Sequence, residues 1–158
     1  LSGDFDGAIA YLEGEGVPKR SPGWCKGTAA KLRAHKAMAA GDKKEAVKQL
    51  LAFGAFMLSD EQKDFEDCDP TTGIVYSRVG EAGGVRRDWV VARNYMRCAK
   101  MSRELGDAAQ ADAYLAEAKR FFATAHEKAK DDQKSLDTLR AEMKEAGCAL
   151  PALPAKTK

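Results

Sequence analysis

The chain has 158 residues, 32% of them charged and only five of them proline, and its 26 lysines and arginines against 24 aspartates and glutamates leave a formal charge of +2. That length suits one domain with a real core, and the near-neutral balance removes any global electrostatic argument for nucleic acid or membrane, so charge has to be read from placement. No apolar run approaches a membrane span, and there is no CxxC pair, calcium-loop spacing or glycine-rich phosphate motif, since Gly80-Glu-Ala-Gly83-Gly84 lacks the lysine and hydroxyl residue that should follow it.

From Asp4 to about Glu15, Phe5, Ala8, Ile9 and Leu12 recur at helical intervals on one face. Gly14, Gly16, Pro18, Pro22 and Gly23 then predict a loop. Trp24 to Ala40 reads as a second amphipathic helix with a small-residue apolar side (Ala29, Ala30, Leu32, Ala34, Ala37, Met38), ended by Gly41 in a left-handed conformation. Asp42 caps a third helix, Lys43 to about Leu58, with Glu45 placed to complete a capping box.

Ser59 to Gln62 repeats the capping-box form and predicts a short acidic helix through Phe65 to Cys68, stopped at Asp69-Pro70. Thr71 to Gly84 is the least legible stretch. Ile74-Val75-Tyr76 has strand propensity but no evident partner, so a short helix or irregular insertion ending at a flexible Gly80 to Gly84 is expected.

Asp88 is expected to cap a long helix ending at Leu105 and Gly106, and Asp107 with Gln110 to open the next, which runs to about Lys130. A last helix from about Asp132 to Ala146 carries Leu136, Leu139 and Met143 on one stripe and charge elsewhere, with Gly147 as its stop. Residues 1–147 therefore form the domain, and 148–158, with Leu150-Pro151 and Leu153-Pro154, an extended tail.

One pattern recurs along this series. Gly3-Asp4 is followed by Ala8 and Leu12, Gly41-Asp42 by Ala46 and Leu50, and Gly106-Asp107 by Ala111 and Leu115. Helix, Gly-Asp, helix with alanine and leucine at fixed offsets resembles the tetratricopeptide repeat, in which antiparallel helix pairs of about 34 residues stack. Residues 92–125 fit best, through Ala99, Ala111, Leu115 and Ala118. Residues 27–60 follow through Ala34, Ala46 and Leu50, and residues 3–20 fit only the second half of a unit.

Arg33 and Cys98 replace the family's leucine, Ala37 and Ser102 its tyrosine, and Leu58 and Ala123 its closing proline. The resemblance implies an all-α fold of antiparallel hairpins stacked as a short right-handed solenoid with a C-terminal capping helix. A general bundle of α-hairpins is the plainer alternative. Because Leu1 is not methionine and Gly3-Asp4 opens inside a unit, the chain is expected to be a processed or truncated product, so no compartment follows.

The resemblance further implies that the first helix of each pair lines a groove for a peptide or partner helix. Carried over position by position, the groove takes Thr28, Lys31, Leu32 and His35 from the earlier unit and Arg93, Met96, Arg97, Lys100 and Arg103 from the later one. Arg93, Arg97 and Lys100 also share a face by spacing alone, at i, i+4 and i+7, and like charges there repel by about a few tenths of a kcal/mol. An acidic peptide segment is the ligand this suggests, and an ordinary solvated basic face is the bland alternative.

Other residues yield no site. His35 and His126 are distant from each other, the carboxylates of Asp64, Glu66, Asp67 and Asp69 read as a solvated helix end, and the aromatic residues sit at core spacings. The four cysteines permit two disulfides, but a helical repeat does not require them. The expected function is a non-enzymatic protein-binding scaffold with no catalytic residues, metal or cofactor. Alternatives are a structural subunit docking through Gly80 to Gly84 and the Leu-Pro tail, and, third, RNA binding along Arg93 to Arg103, which would fall steeply with salt.

Overall fold

A computed structural model describes residues 4–14, 22–59, 66–68, 75–78, 85–129 and 133–148. Its described residues form six helices, α1 (Phe5–Glu13), α2 (Pro22–Ala39), α3 (Lys43–Leu58), α4 (Val85–Glu104), α5 (Ala108–Lys128) and α6 (Gln133–Glu145), with a short ladder of β1 (Glu66–Cys68) and β2 (Val75–Arg78) between α3 and α4. Consecutive helices pack on one another throughout, α1 on α2 through to α5 on α6, and the last of these contacts is the sparsest.

The Gly-Asp pairs explain the hairpins. Gly41 (φ 72°) and Gly106 (φ 84°) take the left-handed conformation that a side chain would oppose. In each, the glycine N–H donates to the carbonyl three residues back (Met38 or Arg103, both 3.1 Å). The following aspartate N–H reaches five back, Asp42 to Ala37 at 3.0 Å and Asp107 to Ser102 at 2.9 Å. These paired bonds satisfy carbonyls left open at the helix end.

The same aspartates begin the next helices, Asp42 Oδ1 accepting from the Glu45 N–H and Asp107 Oδ1 from the Gln110 N–H, each at 3.0 Å. One residue thus closes one helix and opens another. The double role corrects the expected capping box, whose return bond needs the aspartate N–H that the preceding helix already holds. Glu45 turns instead to Gln49 at 2.6 Å and Lys48 at 3.3 Å. Half-copies of the joint stand at either end, where Asp4 caps α1 through the Gly7 N–H and Gly147 closes α6 with Cys148 N–H on the Met143 carbonyl at 2.8 Å.

Just beyond each full joint, Ala46 and Ala111 are fully buried between the helices. A larger side chain would hold the helices apart. The main core gathers Phe53, Phe56 and Met57 of α3, Trp89 to Ala92 of α4, Ala118, Phe121, Phe122 and Ala125 of α5, and Leu136, Leu139 and Met143 of α6. Smaller clusters join α1 to α2 (Ile9, Leu12, Ala29, Leu32) and α2 to α3 and α4 (Ala34, Leu50, Cys98). Lys43 and Glu104 pair at 3.0 Å, bringing the two joints side by side.

Further expectations are corrected. Cys68 and its two predecessors form a strand rather than the end of an acidic helix, and Val75–Arg78 is its antiparallel partner, with Glu66 opposite Arg78, Asp67 opposite Ser77, and an irregularity before Cys68 opposite Val75. Strand propensity around Val75 was the right signal, and its partner lay in residues whose acidic pattern suggested a helix. Asp88 lies inside the first turn of α4, because that helix begins three residues earlier at Val85. Pro22, assigned to the loop, instead starts α2, a position that suits its fixed φ and missing N–H. The Gly80 to Gly84 joint and residues 149–158 of the tail lie outside the described residues.

Candidate functional site

Helix α4 is sandwiched by its neighbours, so its solvent-facing part narrows to a strip. Asp88 to Ala92, Asn94, Cys98, Ala99 and Ser102 are buried, while Arg97, Lys100, Arg103 and Glu104 are exposed and Arg93 is intermediate. Arg93, Arg97, Lys100 and Glu104 follow one another at helical spacing along it. Met96 is half-buried and packs against the main core beside them.

Both ends of this strip are neutralised by other elements. Arg93 donates through Nε to Glu142 of α6 at 2.7 Å and through Nη2 to the other carboxylate oxygen. Its guanidinium also lies 4.7 Å from the Trp89 ring centroid, and the Trp89 indole N–H donates to the same Glu142 at 2.7 Å. Arg93 is therefore the clamp that seats α6 rather than an unengaged groove cation. At the far end Arg103 pairs with Asp112 of α5 at 2.8 Å, and Glu104 with Lys43 of α3.

Arg97 and Lys100 remain between these pairs, with no hydrogen bond or ion pair among the described residues. Arg97 is exposed, yet protein surrounds its guanidinium closely enough that desolvation, followed by repulsion from Arg93, holds its pKa below the usual arginine value, with Glu142 opposing. It stays protonated, since arginine does not lose its proton in proteins. An anion placed beside it would relieve the repulsion that the ion pair at Glu142 leaves in place.

The α2 contribution is weaker. Lys31 and His35 are partly exposed and each already has an interaction partner. Leu32, expected in the groove, is 4% exposed in the cluster between α1 and α2. The Thr28 hydroxyl oxygen is buried without a hydrogen-bond partner, so it is not presented to solvent. The side chain missed in the sequence is Glu142, 49 residues from Arg93 and one of many carboxylates on a charged helix, with nothing local to mark it.

His126 proves structural: it is buried, with Nε2 at 3.3 Å from Arg140 Nη1 across the α5–α6 contact. Asp88, also buried, is held by Lys128 at 2.5 Å and Arg87 at 3.0 Å. Cys98 packs against α3 with its thiol 3.8 Å from the Val47 carbonyl, and burial pushes its pKa up to about 12, the wrong direction for a nucleophile. Cys25, Cys98 and Cys148 are free thiols. Among the described residues no group of three histidine, cysteine or acidic side chains is placed to hold a metal ion, and no helix is long and apolar enough to cross a membrane.

Comparison with protein-family models, with curated proteins and with solved structures gives no match to this chain.

Proposed function

We propose that the protein is a non-enzymatic scaffold of tetratricopeptide-like helix pairs that binds an acidic peptide segment along the exposed strip of α4. Support for the repeat comes from the shared hydrogen-bond pattern of the two joints, Ala39 to Lys43 and Glu104 to Ala108, and from the way α6 meets both helices of the pair before it. Glu142 of α6 reaches α4 and Arg140 reaches α5, as the first helix of a further stacked unit would.

One observation carries the ligand. Arg97 and Lys100 stand one helical turn apart, exposed and without a hydrogen bond or ion pair among the described residues, between cations that have carboxylate partners. Glu142 on Arg93 supports this reading, as a carboxylate offered to the strip from a neighbouring helix. Two charges beside the half-buried Met96 suit a short acidic segment with an apolar residue among its carboxylates.

Fluorescence anisotropy with a labelled peptide of alternating glutamate and leucine tests this, with a glutamine-for-glutamate peptide and single-stranded oligouridylate as comparisons. The expected result is binding of the acidic peptide that weakens with salt and is lost in the Arg97→Glu, Lys100→Glu double variant. Equal binding of the glutamine peptide, an unaffected double variant, or preference for the oligonucleotide overturns the reading.

A further inference from the structure

Helix α6 adds least to the stack, meeting α5 more sparingly than any other consecutive helices meet. Its apolar stripe enters the main core through Leu136, Leu139 and Met143. Two polar contacts flank that stripe, Glu142 to Trp89 and Arg93 on one side and Arg140 to His126 on the other. The second has a chemical requirement that the first lacks. Arginine has only donors, so Arg140 Nη1 can bond His126 Nε2 only while that nitrogen holds a free lone pair, which fixes a neutral ring with its proton on Nδ1.

Protonation would set an imidazolium against a guanidinium at 3.3 Å inside the contact. Among the described residues Glu127 is the compensating carboxylate, and it is outweighed. From α6 the histidine meets Arg140. On its own helix Glu127 is the carboxylate within electrostatic reach, and it is exposed. From α4 the carboxylate at this end is Asp88, already closed on Lys128 and Arg87, while Arg93 is closed on Glu142. Burial first and Arg140 second hold the His126 pKa below its usual value of 6.5, outweighing Glu127.

We infer that the α5–α6 contact is an acid-released latch, in which protonation of His126 opposes Arg140 and undocks α6, uncovering Trp89 and Arg93. The sign follows from linkage. Docked His126 binds its proton less readily than undocked His126, so docking is complete above about pH 6.5 and weakens as pH falls through that value toward the lower docked pKa. Ordinary carboxylates titrate about two pH units lower, which leaves the window from pH 7.5 to 5.5 to histidine. Release would add Arg93 to the open cations of the α4 strip, but the latch itself does not depend on that strip binding a ligand.

The full chain carries two tryptophans and two histidines, so the test can be made specific. In a Trp24→Phe background, Trp89 emission and its quenching by acrylamide report on α6, because the indole N–H is bonded to Glu142. Hydrogen exchange of residues 133–145, corrected for the intrinsic pH dependence of exchange, reports independently. Between pH 7.5 and 5.5 the expected result is a red-shifted, more quenchable Trp89 and up to about a tenfold loss of protection confined to α6.

His35→Gln should leave that transition intact, and His126→Gln, whose amide oxygen can still accept from Arg140, should abolish it. Arg140→Gln, which leaves His126 in place, should blunt it and serves where the His126 variant fails to fold. Protection of α6 that does not change with pH, or a transition that survives both His126→Gln and Arg140→Gln, overturns the proposal.

Discussion

Substituting alanine at two glycines should move stability in opposite directions. Gly106 sits at φ 84° with no heavy atom within 4 Å of the place where a Cβ would stand, so the cost there is backbone strain and not a clash. A left-handed alanine costs about 1–2 kcal/mol, against which the stiffer unfolded chain returns about 0.4–1 kcal/mol, leaving a net loss of about 1 kcal/mol. Gly54 lies buried in the interior of α3, with a φ in the ordinary range and again nothing within 4 Å of an added Cβ. Alanine there gains about 0.8–1 kcal/mol of helix propensity. For a chain of this size 1 kcal/mol corresponds to about 2–4 °C in Tm, so thermal melts followed by circular dichroism should separate Gly106→Ala from Gly54→Ala by about 4–8 °C with the parent between them. A Gly106→Ala variant at or above the parent, or both variants on the same side of it, would refute the division between capping glycine and helix-interior glycine.

Two further outcomes follow. Arg93→Ala should cost about 1–2 kcal/mol by leaving Glu142 without its cation and Trp89 without its stacked guanidinium, whereas Arg97→Glu should stay within about 0.5 kcal/mol of the parent; equal losses in urea melts would contradict the separate roles of the two arginines. The Cys98 thiol, whose pKa folding raises from 9.0 to about 12, contributes stability that is full below about pH 9 and is lost as pH rises toward 12. Tm measured from pH 8 to 10.5 should therefore fall faster in the parent than in Cys98→Ala, and parallel curves would count against it.

The helices were legible because their signals are local. Gly-Asp fixes a helix end and a helix start within two residues, so α3 begins and ends where the pattern placed it, and Gly147 stops α6 as expected. What failed were the starts of α2 and α4, set by Pro22 and Val85, and readings that depended on which other group a residue meets. Of the two segments of the β1–β2 ladder only Val75–Arg78 carried strand propensity, and the capping box at Asp42 failed because an N–H counted for one helix belonged to the other. For the site, the periodicity put Arg93, Arg97 and Lys100 on one face, and that is where they lie. It could not tell which of them other helices would neutralise, since Glu142 and Asp112 arrive through packing.

That difference locates the strip more sharply than composition could. Among the described residues the neighbouring helices leave α4 open along one edge, and the elements that close its ends bring carboxylates with them, from α6 to Arg93 and from α5 to Arg103. Arg97 is different in kind: its guanidinium is desolvated by the surrounding protein and repelled by Arg93, and Glu142 offsets this only from a distance. On the proposal that an acidic segment binds this strip, its carboxylate beside Arg97 removes a disadvantage already present in the free protein, so Arg97→Gln should weaken that binding more than Lys100→Gln does. The reverse order of the two effects would place the ligand on the solvated side of the strip, away from Arg93 and the α6 clamp.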